Sequence, residues 1–281
     1  MLKPYEEVIG LVKQNKSIPE EKIELLPKKW ERFGNVLIVK VHSSLSDCFE
    51  LVAPIYAKVL NCKSVLEDMG GIEGTARKPV LRLIWGEKNT ETIHLENGIK
   101  YKFDPGMLMF SSGNMSERIR MSKIECDEEI IVDGFAGIGY FTLPLGKFGG
   151  PKKIFACEIN PPAFKYLKEN IELNGIEKIV EPLLGDYREV APECCADRII
   201  LGYFKTTSNF LEKTMRVLKE RGGLIHYHDT CSKEEMSRQP FRKIEKMANE
   251  FDFEAKLVHL EKVKSYAPGI YHVVLDVALS R

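Results

Sequence analysis

The stretch Ile130-Ile131-Val132-Asp133-Gly134-Phe135-Ala136-Gly137-Ile138-Gly139-Tyr140-Phe141 constrains the fold more than any other part of the chain. Its β-branched start reads as a buried parallel strand. Gly134, Gly137 and Gly139 then turn the chain, and helical periodicity resumes at Phe141-Thr142-Leu143. A strand, a glycine turn and a helix in that order bring backbone N–H groups close to a ligand. The spacing is not the G-x-G-x-x-G of dinucleotide sites. Asp133 precedes the first glycine, and a carboxylate there suits a cationic ligand better than a pyrophosphate.

Two further strands end in acids. Lys153 to Asn160 is a buried run closing on Glu158. In doubly wound sheets the acid after the second strand accepts hydrogen bonds from ribose hydroxyls. A helix follows from Pro162 to Asn174, with Phe164, Leu167 and Ile171 on one face and Gly175 as its stop. Asp186 follows the third strand, so Asp133, Glu158 and Asp186 form a ladder at successive strand ends. A fourth strand spans Ala196 to Tyr203, and a fifth spans Leu224 to His228. Helices are expected over Phe210–Glu220 and Pro240–Phe251. The last strands, Glu254–Leu260 and Tyr271–Leu279, flank a short connection through Ser265–Gly269, which implies an antiparallel end to a mostly parallel sheet. The expectation is an α/β, Rossmann-like domain over 105–281, opened by a helix from Met115 to about Glu125.

Residues 1–104 read as a separate small α+β domain. Val36–Val41 is a strand, and Ser46 looks like the N-cap of a helix reaching Leu60, with Pro54 inside it. Gly70 to Pro79 is a glycine-rich, partly basic loop. Val80–Trp85, Glu91–Leu95 and Ile99–Phe103 are strand candidates, the last two joined by Glu96-Asn97-Gly98, which is hairpin chemistry.

With 281 residues the chain has room for these two domains. The formal net charge is zero, so a nucleic-acid partner has to be met by local patches: Lys28-Lys29-Arg32, Arg77-Lys78-Arg82, or Arg238-Arg242-Lys243-Lys246. Each patch also reads as a solvated face. No apolar run reaches the length of a membrane span, and the N-terminus does not read as a signal peptide. Seven irregularly spaced cysteines without C-x-x-C fit reduced thiols in the cytoplasm and no structural zinc. Arg118 reads either as an exposed helix charge or as a ligand for a carboxylate or phosphate. Tyr140 and Tyr203 either stack on a base or are half-buried core. His226 and His228 share one strand face, lining a substrate pocket or packing with hydrogen bonds; as a metal pair they lack a third ligand of suitable spacing.

Ser111-Ser112-Gly113-Asn114-Met115-Ser116-Glu117-Arg118, the Asp133–Tyr140 stretch, Cys157-Glu158-Ile159-Asn160-Pro161 and Tyr266-Ala267-Pro268-Gly269 together resemble one superfamily of tRNA-modifying enzymes that use S-adenosylmethionine (SAM). It holds two sister families: the archaeal and eukaryotic tRNA guanine-N1 methyltransferases, and the tRNA 4-demethylwyosine aminocarboxypropyltransferases of wybutosine synthesis. The methyltransferases carry an Asn-Leu-Pro type signature after the fourth strand. Here Leu201-Gly202-Tyr203-Phe204 stands instead, which resembles the aminocarboxypropyltransferases, as does Ile225-His226-Tyr227-His228-Asp229-Thr230. The resemblance implies a SAM methyltransferase fold, SAM as cofactor, and as substrate tRNA-Phe carrying the tricyclic precursor base next to its anticodon. It implies no membrane association, and no obligate protein partner is evident. It also implies a cofactor site of Ser111, Arg118, Asp133, Phe135, Ala136, Gly137, Glu158, Ile159, Asp186, Tyr187 and Gly202. Asp186 and Tyr187 are expected at the adenine, and Ser111 and Arg118 on the cofactor. Gly202 is expected to leave space beside it. Tyr203, His226 and His228 are candidates for positioning the substrate, and the small domain is expected to contact tRNA.

Overall fold

A computed structural model describes residues 3–73, 78–203, 206–236 and 238–281. Contacts divide the chain into two compact units, Met1–Ser112 and Gly113–Arg281. By this measure residues 105–112 group with the first unit, and the break expected after residue 104 falls after Ser112.

The first unit opens with α1 (Pro4–Asn15), β1 (Trp30–Phe33) and β2 (Val36–Val39). It continues with α2 (Phe49–Leu60), β3 (Ser64–Glu73) and β4 (Lys78–Gly86). The sheet order is β1-β2-β3-β4, with β2 and β3 parallel. Val8 and Val12 of α1 pack with Phe49, Val52 and Tyr56 of α2 and with Leu37, Val39 and Val65 of the sheet. Tyr56 donates its buried hydroxyl to the Pro27 carbonyl at 2.8 Å, which satisfies the one polar atom this ring brings into the core. Ser46 does not cap α2. Its N–H closes a preceding 3₁₀ turn, and Cys48 stands at the helix start. The expected loop at Gly70 is instead the outer part of β3, paired with β4 after a register shift. Residues 74–77, with Arg77 of the proposed basic patch, lie outside the described residues. β5 (Thr92–Glu96) and β6 (Ile99–Phe103) form their own hairpin. Its turn residues Asn97 and Gly98 both have positive φ, 50° and 78°, as a two-residue Asn-Gly turn requires.

The second unit holds α3 (Met115–Met121), β7 (Ile130–Asp133), α4 (Thr142–Phe148), β8 (Lys153–Glu158), α5 (Pro161–Leu173) and β9 (Val180–Leu184). After these come α6 (Tyr187–Val190), β10 (Arg198–Leu201), α7 (Leu211–Val217), β11 (Gly222–Ser232), α8 (Gln239–Glu250), β12 (Glu254–Ala267) and β13 (Ile270–Ser280). Among the described residues the sheet has seven strands in the order β12-β13-β11-β10-β7-β8-β9. β11, β10, β7, β8 and β9 are parallel, and β13 and β12 close the sheet antiparallel. This is the doubly wound sheet the acid-ended strands imply, with the SAM methyltransferase order. The order reverses beside β7, so a crevice opens at the carboxyl ends of β7 and its neighbours.

Several boundaries differ from the sequence reading: α7 spans Leu211–Val217 rather than Phe210–Glu220, and β11 spans Gly222–Ser232 rather than Leu224–His228. α3 stops at Met121 rather than near Glu125. β12 runs on to Ala267 rather than Leu260 and β13 gains one residue at each end, so the connection shrinks to a turn at Pro268-Gly269, where Gly269 has φ +73°. Cross-strand pairing carries these polar ends as strand although their local pattern is loop-like.

Candidate active site

The glycine turn after β7 is held almost entirely by the protein itself. The Gly134 N–H donates to the Ile200 carbonyl at 3.0 Å, and the Ala136 N–H to the Cys157 carbonyl at 2.9 Å. The N–H groups of Gly139 and Tyr140 both donate to the Ala136 carbonyl. The Gly137 N–H donates to the Glu158 carboxylate at 2.7 Å. The buried Asn170 amide of α5 reaches the Ile138 carbonyl at 3.0 Å. These N–H groups are therefore bonded within the protein. Gly137 and Gly139 are required on conformational grounds, with φ +59° and +101°. A Cβ on Gly137 would also come within 2.5 Å of the Tyr140 ring.

Asp133 is fully buried and turned into this loop. It accepts the Thr142 hydroxyl at 2.7 Å and the Phe135 N–H at 3.2 Å. Burial pushes its carboxyl up to about 6, against the pull of those two donors. It reads as the internal tie between β7 and the start of α4 rather than as a partner for a bound cation. Glu158 is placed differently. Its oxygens accept the N–H groups of Gly137 and Asn160, each at 2.7 Å, yet the side chain keeps contact with solvent at the strand end. Burial raises its pKa, and the backbone donors oppose the rise. Each carboxylate oxygen can accept a second bond, which is what a ribose diol needs. The neighbouring Ile159 is 64% exposed and offers an apolar surface beside that carboxylate.

The third acid is also reassigned. Asp186 caps α6 by accepting the Arg188 N–H at 2.8 Å, and it pairs with the Arg188 guanidinium at 2.6 Å. Arg188 holds its carboxyl below the usual range. The Tyr187 side chain is buried: it is 2% exposed, its hydroxyl donates to Thr214, and its ring fills the space a Cβ on Gly134 would need. Tyr187 belongs to an aromatic group. Phe135 stacks on Tyr203 with ring centroids 5.3 Å apart and 20° between planes, and Phe210 meets Phe135 edge-on at 4.8 Å. Tyr203 is half-buried, so one part of this group faces out. The space assigned to Gly202 is filled, because a Cβ there would lie 3.0 Å from the Phe141 ring. This glycine serves close packing. Phe204 and Lys205 lie outside the described residues.

The two histidines do share one face of β11, but that face is sealed. His226 sits between Asp276, whose carboxylate is 2.6 Å from Nδ1, and Arg198, whose guanidinium is 2.9 Å from Nε2. One neutral tautomer satisfies both: Nδ1–H donates to Asp276 and Nε2 accepts from Arg198. Burial lowers the pKa of His226, and the Asp276 contact opposes it. His228 lies 3.0 Å from His272 and packs on Phe141. Neither His226 nor His228 lines a substrate pocket. Among the described residues no group of three or more His, Cys, Asp or Glu is placed to hold a metal ion. Ser111 belongs to the first unit, where it is half-buried, and Arg118 to the second, where it is 3% exposed. Sequence reading missed Arg120, Arg198 and Asp276. The signal was present for two of them, since Arg198 opens an apolar strand and Asp276 interrupts the apolar run Val273–Ala278.

Burial pushes the imidazoles of His228 and His272 down to about 3 from 6.5. Below 6.5 the unfolded chain takes up protons that the folded protein refuses, so this term removes stability as pH falls toward 3. Asp133, raised to about 6 from 3.8, acts in the opposite sense between those values. Replacing His228 by Gln leaves the Asp133 term in place and removes one imidazole. The stability lost between pH 7 and pH 5, measured by urea titration, should shrink by about 1–2 kcal/mol in His228→Gln. Equal losses in both proteins would show that His228 is not held neutral.

The model of the TRM5/TYW2 methyltransferase domain matches residues 92–257, and that of the TYW2 N-terminal domain matches residues 13–90. The tRNA(Phe) (4-demethylwyosine(37)-C(7)) aminocarboxypropyltransferase of Pyrococcus horikoshii is 42% identical over 93% of this chain and 93% of its own. The crystal structure of P. horikoshii TYW2 in complex with MeSAdo superposes with a TM-score of 0.88 at 37% identity, covering 98% of this chain and 99% of that one. The structure of M. jannaschii TYW2 in complex with AdoMet gives a TM-score of 0.74 at 37% identity, over 90% and 100% of the two chains. A doubly wound sheet, an acid-held glycine turn and these matches over nearly the whole length lead to one placement: the chain belongs to the TRM5/TYW2 family.

Proposed function

We propose that this protein transfers the 3-amino-3-carboxypropyl group of SAM to the 4-demethylwyosine base next to the anticodon of tRNA-Phe, in wybutosine synthesis. One observation carries the choice between the sister activities: the TYW2 N-terminal domain model matches residues 13–90, ahead of the shared catalytic domain. The end of β10 supports it. Leu201-Gly202-Tyr203 offers no Asn or Asp side chain to orient a ring nitrogen for methylation.

The residues present fit the cofactor. Glu158 takes the ribose hydroxyls, with its carboxylate already oriented by two backbone donors. Ile159 and the outer face of the Phe135–Tyr203 stack supply apolar surface for flat rings. Arg118 binds the carboxylate of the methionine arm through its planar fork. When bound, SAM supplies a sulfonium whose S–C bonds are all open to in-line attack. Transfer from the arm forms a carbon–carbon bond at C7 of the base, returns an electron pair to sulfur and releases methylthioadenosine and a proton. The chain's contribution is then positioning, since the electrophile carries its own driving force. The first unit holds the tRNA, and the work takes place in the cytoplasm. No described helix is long and apolar enough to cross a membrane.

Two outcomes test this reading. Glu158→Gln turns an NH₂ toward one of the two N–H groups its carboxylate now accepts, so it should weaken SAM binding by about 1–3 kcal/mol in calorimetry. Unchanged affinity would remove Glu158 from the ribose. Incubation with tRNA bearing the tricyclic base should move carboxyl label from SAM into RNA and leave methylthioadenosine. Transfer of methyl label to guanosine, with S-adenosylhomocysteine as by-product, would select the sister activity instead.

A further inference from the structure

We propose that Arg120 and Asp276 are positioning residues for Arg118: they clamp α3 to the sheet and so fix where the Arg118 guanidinium meets the cofactor. The inference rests on the reading that Arg118 contacts SAM.

α3 has seven residues, and its N-cap Asn114 makes no side-chain capping bond. A helix this short is not stable by itself. Its buried residues are Glu117, Arg118 and Met121, of which two are charged, so apolar packing alone does not hold it. Ionic contacts do. Arg120 forks onto both oxygens of Glu117, at 2.8 and 2.7 Å, within the helix. The same guanidinium reaches both oxygens of Asp276 on β13, at 2.6 and 3.2 Å. Asp276 in turn meets His226 on β11 at 2.6 Å. His226 meets Arg198 on β10 at 2.9 Å, and Arg198 forks onto Glu129 at 2.6 and 2.9 Å. The chain of contacts crosses adjacent strands β13, β11 and β10 and ends just before β7.

Two bidentate contacts on one guanidinium fix its plane, and with it the rotation of α3 about its axis. Arg118 lies between Glu117 and Arg120, the two helix residues in this clamp. Burying charge in this way is a poor route to stability, because apolar side chains of similar volume hold a helix at least as well. What the forks add is direction. Asp276 supplies it because a carboxylate can accept from Arg120 and His226 together. The amide of Asn would turn its NH₂ toward one of those donors.

The test is a double-mutant cycle on SAM affinity, measured by calorimetry with the full chain. Arg118→Ala and Asp276→Asn should each weaken SAM binding about tenfold or more. The double variant should be no weaker than Arg118→Ala alone, because the clamp acts only through that side chain. Asp276→Glu, which keeps both acceptors, should recover most of the affinity. If Asp276→Asn does not fold, Arg120→Lys takes its place in the cycle: it keeps the charge and loses the fork, and the same non-additivity is expected. Losses that multiply in the double variant would overturn the proposal, since Asp276 would then act independently of Arg118. Unchanged affinity in Asp276→Asn, with a loss in Arg118→Ala, would overturn the clamp alone. Unchanged affinity in Arg118→Ala would overturn the assignment of Arg118 itself, and the clamp with it.

Discussion

The bond from the Gly137 N–H to the Glu158 carboxylate joins the glycine turn after β7 to the end of β8. Gly137 stands in the turn after β7, in a left-handed conformation open to glycine, and Glu158 stands at the end of β8. Without the carboxylate, the turn would present an unsatisfied donor and the acid would lose its orientation. Asp133 completes the arrangement from beneath by tying Phe135 and Thr142 to the end of β7. The two acids thus divide the labour. One is buried and shapes the loop, and the other is held by the loop and keeps contact with solvent at the strand end. Preorganisation of this kind lowers the ordering cost of binding, which matters when catalysis consists largely of holding an electrophile at the right angle.

The second organising feature is electrostatic and lies on the opposite side of β7. From Glu117 through Arg120, Asp276, His226 and Arg198 to Glu129, charged and polar groups alternate as donor and acceptor through the unit. Each buried charge has a partner, as low-dielectric surroundings demand. A neutral His226 suits its place between an acceptor and a guanidinium, whereas a protonated ring would turn an N–H against Arg198. The flanking apolar residues supply the packing: Val273, Val274, Leu275 and Val277 of β13 are all fully buried around Asp276.

The fold was legible because its signals are local. Ile130–Phe141 encodes strand, turn and helix within a dozen neighbouring positions, and the Asn97-Gly98 hairpin is set by two residues. The ladder of Asp133, Glu158 and Asp186 located the right strand ends, but an acid at a strand end looks the same whether it grips a ligand, ties a loop or caps a helix. Only the position of Thr142, Asn160 or Arg188 around it separates the three. His226 and His228 were correctly read as sharing a face. Their partners Asp276 and His272 arrive from a strand 50 and 44 residues further along the sequence, and that pairing is not visible in the local pattern. Gly202 was misjudged for a related reason: the ring of Phe141, which fills the space beside it, is contributed by another part of the chain.

The central claim is that Glu158, and not Asp133, receives the cofactor while the glycine turn stays as it is. A crystal structure of this protein with SAM tests it directly. The account predicts both ribose hydroxyls at hydrogen-bond distance, roughly 2.6–3.0 Å, from the Glu158 carboxylate, with the Asp133–Thr142 bond kept. A nucleoside bound away from Glu158, or an Asp133 side chain turned out of the loop onto the ligand, would contradict it.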